Sequence, residues 1–229
     1  NQLMICIRVF NLSARLAELA SAFYYSFKDN VIDSTSSTRI PVLSAVTGTN
    51  GKTSIASIYA QLSSLMDKPA ASIGTLGVNL LVKGESEKVM DTINTTPDIL
   101  SIYFALSLLS ERQCSRVALE ASSHGLVQGR LQNLPISCAI FSNLSQDHLD
   151  YHHTMGEYAA AKRKLLDAKG LQTIVLNADD KESIVWQQTA NKALDIFWYS
   201  TSPLASGLVG CWAQHIIYDT RGVTFTLTT

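Results

Sequence analysis

The sequence lacks any apolar run near the ~18–20 residues that a membrane-spanning helix needs, and no membrane association is expected. It has no C-x-x-C pair; its four cysteines, Cys6, Cys114, Cys138 and Cys211, are scattered. Zinc and thioredoxin-type chemistry therefore find no ligand set. Cys138 sits in an apolar run with Ala139, Ile140 and Phe141 and reads as reduced and buried, which points to the cytoplasm. Charge of one sign is also missing: 18 Lys and Arg face 19 Asp and Glu, for a net charge of −1. Nucleic acid and anionic membrane have no basic tract to grip. There is no internal repeat and no low-complexity tract. Residues 1–10 are apolar but carry neither a basic leading region nor a small-residue cleavage site, so they do not read as a signal peptide. Position 1 is Asn rather than Met, and the chain is expected to be cut from a longer one. What is present is ordinary globular composition, 229 residues with 46% hydrophobic and 16% charged. At about 100–200 residues per domain, that length predicts one large domain or one domain plus a fragment.

Residues 12–27 place Leu12, Leu16, Leu19, Ala20, Phe23 and Phe27 at helical spacing, with Asn11 or Ser13 as the candidate N-cap. Residues 28–39 are polar and rich in Ser and Thr, and read as a linker. From residue 40 onward, strand-like and helix-like segments alternate. Strands are expected at 40–46, 70–74, 116–120, 138–142, 173–177 and 196–199. Helices are expected at 53–65, 97–110 (opened by Pro97), 156–168 and 181–190. Residues 212–218 and 223–227 predict a hairpin about 219–222. This rhythm predicts an α/β fold with a mainly parallel sheet and helices on both faces.

The run Thr47-Gly48-Thr49-Asn50-Gly51-Lys52-Thr53 follows a strand and opens a helix. Glycines let the backbone wrap closely, so that N–H groups face phosphate oxygens. The helix N-terminus adds favourable partial charge. Lys52 can reach the β- and γ-phosphates, and the Thr53 hydroxyl can ligate magnesium. Gly48 through Ser54 are the candidate ATP-binding residues. Val46 stands where the longer P-loop pattern has its first glycine. Such a loop specifies a nucleoside triphosphate, and kinases, GTPases, motor ATPases and ligases all remain open.

Glu120 ends a strand at the carboxyl edge, where open α/β sheets bind ligands, and His148 follows another strand. A carboxylate and an imidazole near a phosphate loop suit a metal beside the γ-phosphate. Taken alone, Glu120 is a solvated strand end, His148 a loop histidine and Lys162 a surface lysine on a helix among alanines. Asn94, Thr95 and Thr96 serve equally well as caps for the helix that starts at Pro97. Ser122, Ser123 and His124 lack the G-x-S-x-G elbow of a serine hydrolase.

Together these segments resemble the Mur ligases. The resemblance rests on the phosphate loop, on Asn94-Thr95-Thr96-Pro97-Asp98, on the run from Glu120 to Arg130 (EASSHGLVQGR), on the run from Ser142 to His152 (SNLSQDHLDYH) with Tyr158 and Lys162, and on Asn177-Ala178-Asp179-Asp180. Within the family, the SSHGLVQ-R run resembles the ligases that add the third amino acid to UDP-N-acetylmuramoyl-L-alanyl-D-glutamate. The resemblance implies a peptidoglycan-precursor ligase, working through an acyl phosphate and using ATP and Mg²⁺. It implies that His148, Glu120 and Lys162 support the second magnesium, with Lys162 carrying a carbamate derived from CO₂. Lys52, Glu120, His148 and Lys162 are then the catalytic set. Asn94, Thr95, Thr96, Ser122, Gln128 and Arg130 would contact the UDP-sugar-dipeptide. The added residue is meso-diaminopimelate or L-lysine, the former favoured by the central motifs. Residues 1–39 would be the remnant of a uridine-binding N-terminal domain plus linker, and residues 40–229 the central ATP-binding domain, incomplete at its end. The C-terminal amino-acid-binding domain would be absent, so the chain alone is expected to be an inactive monomer. A folylpolyglutamate synthase, another Mur ligase and a non-catalytic ATP-binding module are the alternatives.

Overall fold

The computed structural model describes residues 8–26, 39–66, 68–220 and 222–229. Helix α1 spans Leu12–Ser21 and continues as a π-helical turn, Ala22–Ser26. Asn11 holds the N-cap position with φ 51° and makes no side-chain cap bond, so side-chain capping does not start this helix. Ala17, Ala20 and Tyr25 turn inward. The linker expected at 28–39 lies outside the described residues except for Arg39.

Strand β1 (Val42–Thr47) leads into α2 (Lys52–Met66). Strands β2 (Ala70–Gly74), β3 (Gly77–Val82) and β4 (Glu85–Met90) follow. Helix α3 (Ile99–Glu111) opens at Asp98, whose carboxylate accepts from the N–H groups of Leu100 and Ser101, both at 3.0 Å. The cap is therefore Asp98, and capping by residues 94–96 is corrected. Strand β5 (Arg116–Glu120) runs into the short α4 (Ser123–Val127), and β6 (Ile136–Phe141) into α5 (Leu149–His152). Helix α6 (Met155–Arg163) is capped by the Thr154 hydroxyl and tightens into a 3₁₀ turn at Lys164–Asp167, so the expected helix 156–168 is α-helical only in its first part. Strand β7 (Thr173–Asn177), α7 (Glu182–Thr189), β8 (Asp195–Ser200), β9 (Gly210–Asp219) and β10 (Gly222–Thr228) complete the order.

The strands form one sheet in the order β10-β9-β8-β7-β6-β1-β5-β2-β3-β4. Pairing is parallel from β9 through β2 and antiparallel at β2–β3, β3–β4 and β9–β10. The parallel sheet is the expected one. The β3–β4 hairpin was not anticipated from the sequence. Its turn, Lys83-Gly84, has φ of 51° and 89°, the positive pair that a two-residue hairpin of the right twist requires.

Side-chain alternation along the strands builds two cores. Leu43 and Ala45 of β1 join Leu119, Phe141, Leu106 and Trp186 on the face covered by α1, α3 and α7. Val46, Ala118 and Ile140 face the other way and pack against Ala56, Ile55 and Tyr59 of α2. Strand β1 is thus covered on both faces and flanked by parallel neighbours. The connection through α2 carries the chain to the β5–β2 side, while β6, β7 and β8 lie on the opposite side. The strand order divides at β1, and a ligand crevice forms beyond the carboxyl ends of strands at such a division.

Candidate active site

Beyond Thr47 the chain turns through Gly48, whose φ is 146°, and Gly51, whose φ is 84°. Val46, in place of a first loop glycine, lies fully buried in β1, so the loop begins two residues later. A side chain at Gly48 would run into the Ser142 hydroxyl and the Asn143 backbone. The loop is held from the end of β6. The Thr49 N–H donates to the Asn143 carbonyl at 2.8 Å, and the Asn50 N–H to Asn143 Oδ1 at 3.0 Å. Ser142 Oγ donates to the Asn50 carbonyl at 2.6 Å. Two of the loop N–H groups expected to face phosphate are therefore tied to Asn143. The N–H groups at the start of α2, which have no intrahelical acceptor, remain the anion-facing donors, with Ser54 exposed on the same turn.

Two lysines meet at this loop. Lys52 Nζ donates to the carbonyls of Gly48 and Thr49 at 3.0 and 2.8 Å. Lys162 Nζ donates to the same Gly48 carbonyl at 2.8 Å and lies 4.3 Å from the centre of the Tyr158 ring. Lys162 is 1% exposed, so the surface-lysine reading is overturned. Burial, with the Lys52 charge adding to it, lowers the Lys162 ammonium to about 7; Asp147 opposes the shift. The ring face favours a cation, but burial prevails. Lys52 is also held below the usual lysine range by burial, against the charges of Glu120 and Asp147.

Glu120, buried at the end of β5, faces the first turn of α2. Its Oε2 accepts from Thr53 Oγ1 at 2.8 Å, and its Oε1 from the Thr75 N–H at 2.8 Å. The carboxylate occupies the space beside Gly74 that any side chain there would fill. We expect Gly74→Ala to displace it and to lower stability by about 1–3 kcal/mol through overpacking. Urea unfolding reads this directly, and an unchanged midpoint would mean the carboxylate is not confined there.

His148 sits at φ 51° ahead of α5. Its Nε2 is 3.5 Å from Asp147 Oδ2, and its ring centroid is 5.0 Å from that of His124 and 6.0 Å from that of Tyr158. His152 is buried, with Nε2 2.9 Å from Ser123 Oγ. Burial first, then neighbouring imidazoles, lowers the pKa of both His124 and His152. Among the described residues, no three His, Cys, Asp or Glu side chains form a group placed to hold a metal. The structure brings Thr53 to Glu120, and His148 toward the ring that carries Lys162. Thr53 and Glu120 offer the oxygen donors that a hard divalent cation takes.

The expected substrate contacts form a second cluster. Thr96 Oγ1 donates to the Glu120 carbonyl at 2.7 Å, accepts from the Ser122 N–H at 2.9 Å and lies 2.9 Å from Ser122 Oγ. Arg130 donates to the Thr96 carbonyl at 2.7 Å and to Gln128 Oε1 at 2.6 Å. Thr95 Oγ1 accepts from Thr75 Oγ1 at 3.1 Å, and Asn94 is exposed beside it. Several supporting residues escaped the sequence reading. Asn177 Nδ2 and Tyr199 OH both donate to the Ser142 carbonyl, and Asp180 accepts from the Leu144 N–H. The Asn177–Asp180 run was visible as a motif, and its role is to brace the segment that shapes the phosphate loop.

A glycine-rich loop at the division of a parallel sheet, with a buried carboxylate on its Thr and a buried lysine behind it, is the arrangement of a P-loop α/β protein. Residues 46–229 match the family model of the Mur ligase middle domain. A diaminopimelate-adding UDP-N-acetylmuramoyl-L-alanyl-D-glutamate ligase from Vibrio cholerae is 36% identical over 218 residues, covering 95% of this chain and 40% of the relative. The corresponding ligase of Xanthomonas campestris is 40% identical over 182 residues, 80% of this chain and 35% of the relative. A solved structure of such a ligase superposes with a TM-score of 0.77 at 31% identity, over 95% of this chain and 42% of that one. A folylpolyglutamate synthase from Mycobacterium tuberculosis, solved with ADP, shares the fold at a TM-score of 0.66 and 11% identity, over 96% of this chain and 52% of that one. The chain belongs to the Mur ligase family. It spans about two fifths of the length of these curated ligases. No helix among the described residues is long and apolar enough to cross a membrane.

Proposed function

We propose that this chain is the ATP-binding part of a cytoplasmic, ATP-dependent ligase that adds diaminopimelate to UDP-N-acetylmuramoyl-L-alanyl-D-glutamate. Residues 40–229 serve as its central domain and residues 1–39 as the tail of a preceding uridine-binding domain with its linker. The observation that carries the reading is the gathering of Lys52, Thr53, Glu120 and Lys162 on one loop, Gly48–Thr53, beside the Thr96–Ser122–Arg130 cluster.

The helix N-terminus and Lys52 hold the triphosphate, and the Lys52 charge offsets charge on the transferring phosphoryl group. Thr53, Glu120, His148 and Lys162 are the residues that would hold magnesium, which supplies neutralisation of phosphate and carboxylate charge when bound. Lys162 is suited to act as an anion. With the ammonium lowered to about 7 by burial, a substantial share of the amine is neutral near that pH; the neutral amine adds to the carbon of CO₂ and loses a proton, leaving a carbamate. Asn94, Thr95, Thr96, Ser122, Gln128 and Arg130 orient the dipeptide, with Arg130 the charge-assisted partner of a substrate anion. A glutamate carboxylate of the dipeptide attacks the γ-phosphorus and ADP leaves. The incoming amine then displaces phosphate from the acyl phosphate, losing a proton to give the amide.

Phosphate release by the protein of the full reading frame tests this. We expect release from ATP to require both UDP-N-acetylmuramoyl-L-alanyl-D-glutamate and diaminopimelate. Release with lysine in its place would reassign the amino acid. Release only with a folate and glutamate would move the protein to the folylpolyglutamate synthases.

A further inference from the structure

Thr75 lies on the tight link between β2 and β3, where it touches side chains of both clusters. Its N–H donates to Glu120 Oε1 at 2.8 Å. Its hydroxyl stands 3.1 Å from Thr95 Oγ1 and 3.4 Å from Glu120 Oε2. A threonine hydroxyl has one proton to donate, so it serves one of these acceptors well at a time. Glu120 Oε2 already accepts from Thr53 Oγ1, the pair of oxygens suited to a hard cation. Gly74, whose missing side chain makes room for the carboxylate, precedes Thr75 and fixes where the link turns.

We infer that Thr75 is a positioning residue that couples cation binding at Glu120 to dipeptide binding at Thr95. This rests on the function proposed above. A cation on Glu120 Oε2 takes up the lone pairs that Thr75 would otherwise reach. The Thr75 proton, shared in the cation-free structure between Thr95 Oγ1 at 3.1 Å and Glu120 Oε2 at 3.4 Å, is then confined to Thr95 Oγ1, and the Thr95 hydroxyl proton is left to point at a substrate acceptor. The dipeptide thus meets a donor whose orientation no longer competes with Glu120 when the cation is in place. Such coupling is reciprocal: the dipeptide must raise cation affinity by the same factor.

The test is calorimetric titration of UDP-N-acetylmuramoyl-L-alanyl-D-glutamate into the full-length protein. A non-hydrolysable ATP analogue is present, with and without MgCl₂. We expect magnesium to tighten dipeptide binding in the wild type by about fivefold, the effect of one hydrogen bond. In Thr75→Val the ratio should fall to near one, and Thr75→Ser should restore it. Circular dichroism and thermal unfolding establish that each variant is folded, and Thr75→Ala serves if the valine does not fit. A folded Thr75→Val or Thr75→Ala with the wild-type ratio overturns the inference, as does a wild type without magnesium dependence. A wild-type protein that does not bind the dipeptide under any condition removes the functional reading itself.

Discussion

Lys52→Ala is expected to lower ATP-dependent turnover by roughly a hundredfold to a thousandfold or more, the scale of losing a preorganised charge or donor at a developing anion. Lys52 Nζ rests on the Gly48 and Thr49 carbonyls, so its charge is already at the phosphate loop and little reorganisation precedes catalysis. Removing it does not orphan Gly48, whose carbonyl keeps the Lys162 donor. The variant should therefore fold, with its unfolding midpoint close to wild type, while phosphate release collapses. Lys52→Arg should not rescue it, because a planar fork cannot occupy the place of a compact ammonium seated on two carbonyls. Turnover near normal in a folded Lys52→Ala protein would sink the assignment of this loop to the triphosphate.

The second large effect is expected at Lys162. Lys162→Ala should cut turnover on the order of a hundredfold, as loss of a group that supports a metal site does, and formate or acetate should restore part of it by standing in for the carbamate. A merely structural lysine would show no such rescue. The pH dependence follows from the lowered pKa. Only the neutral amine captures CO₂, so carbamate formation should rise as pH passes through about 7. Carbon-13-labelled bicarbonate and NMR would follow it. A signal equally strong well below that pH would contradict the mechanism. The same shift sets a stability trend. The folded-state value, about 7, lies below the ordinary 10.5, so between these pH values the unfolded chain binds more protons at this group. The contribution of this residue to folding stability therefore rises with pH across that window.

Much of the architecture was legible because its signals are local. The alternation of short apolar runs with helical segments from residue 40 onward predicted the parallel sheet, with most boundaries within a residue or two. The β3–β4 hairpin was not legible. Its turn, Lys83-Gly84, lacks the Asn-Gly or Asp-Gly signature, and Glu85–Met90 is polar and largely exposed, without the alternation of a half-buried strand. The helix at residue 97 was seen, but its cap was misplaced by competition among neighbouring cap-forming residues, which Asp98 wins by accepting two N–H bonds. At the site, Gly48 to Thr53, Glu120 and His148 announced themselves through motif and strand-end position. The burial of Lys162 did not, because it depends on Gly48, 114 residues earlier in the chain. Thr75, Tyr199 and the bracing role of Asn177 and Asp180 are likewise visible only once distant strands are side by side.

The grip of Asn143 and Ser142 on the phosphate loop has a consequence in time as well as in space. The loop and the residues that shape it are 92–96 positions apart, and β1 must also pair with β5 and β6. Closures of that length are the slow steps of folding. During synthesis, the ribosome has therefore made the loop's sequence long before the loop has its shape. Affinity for a nucleotide emerges only after residue 145 has left the exit tunnel and β6 has docked. Nucleotide occupancy thus reports that β6 has docked beside β1.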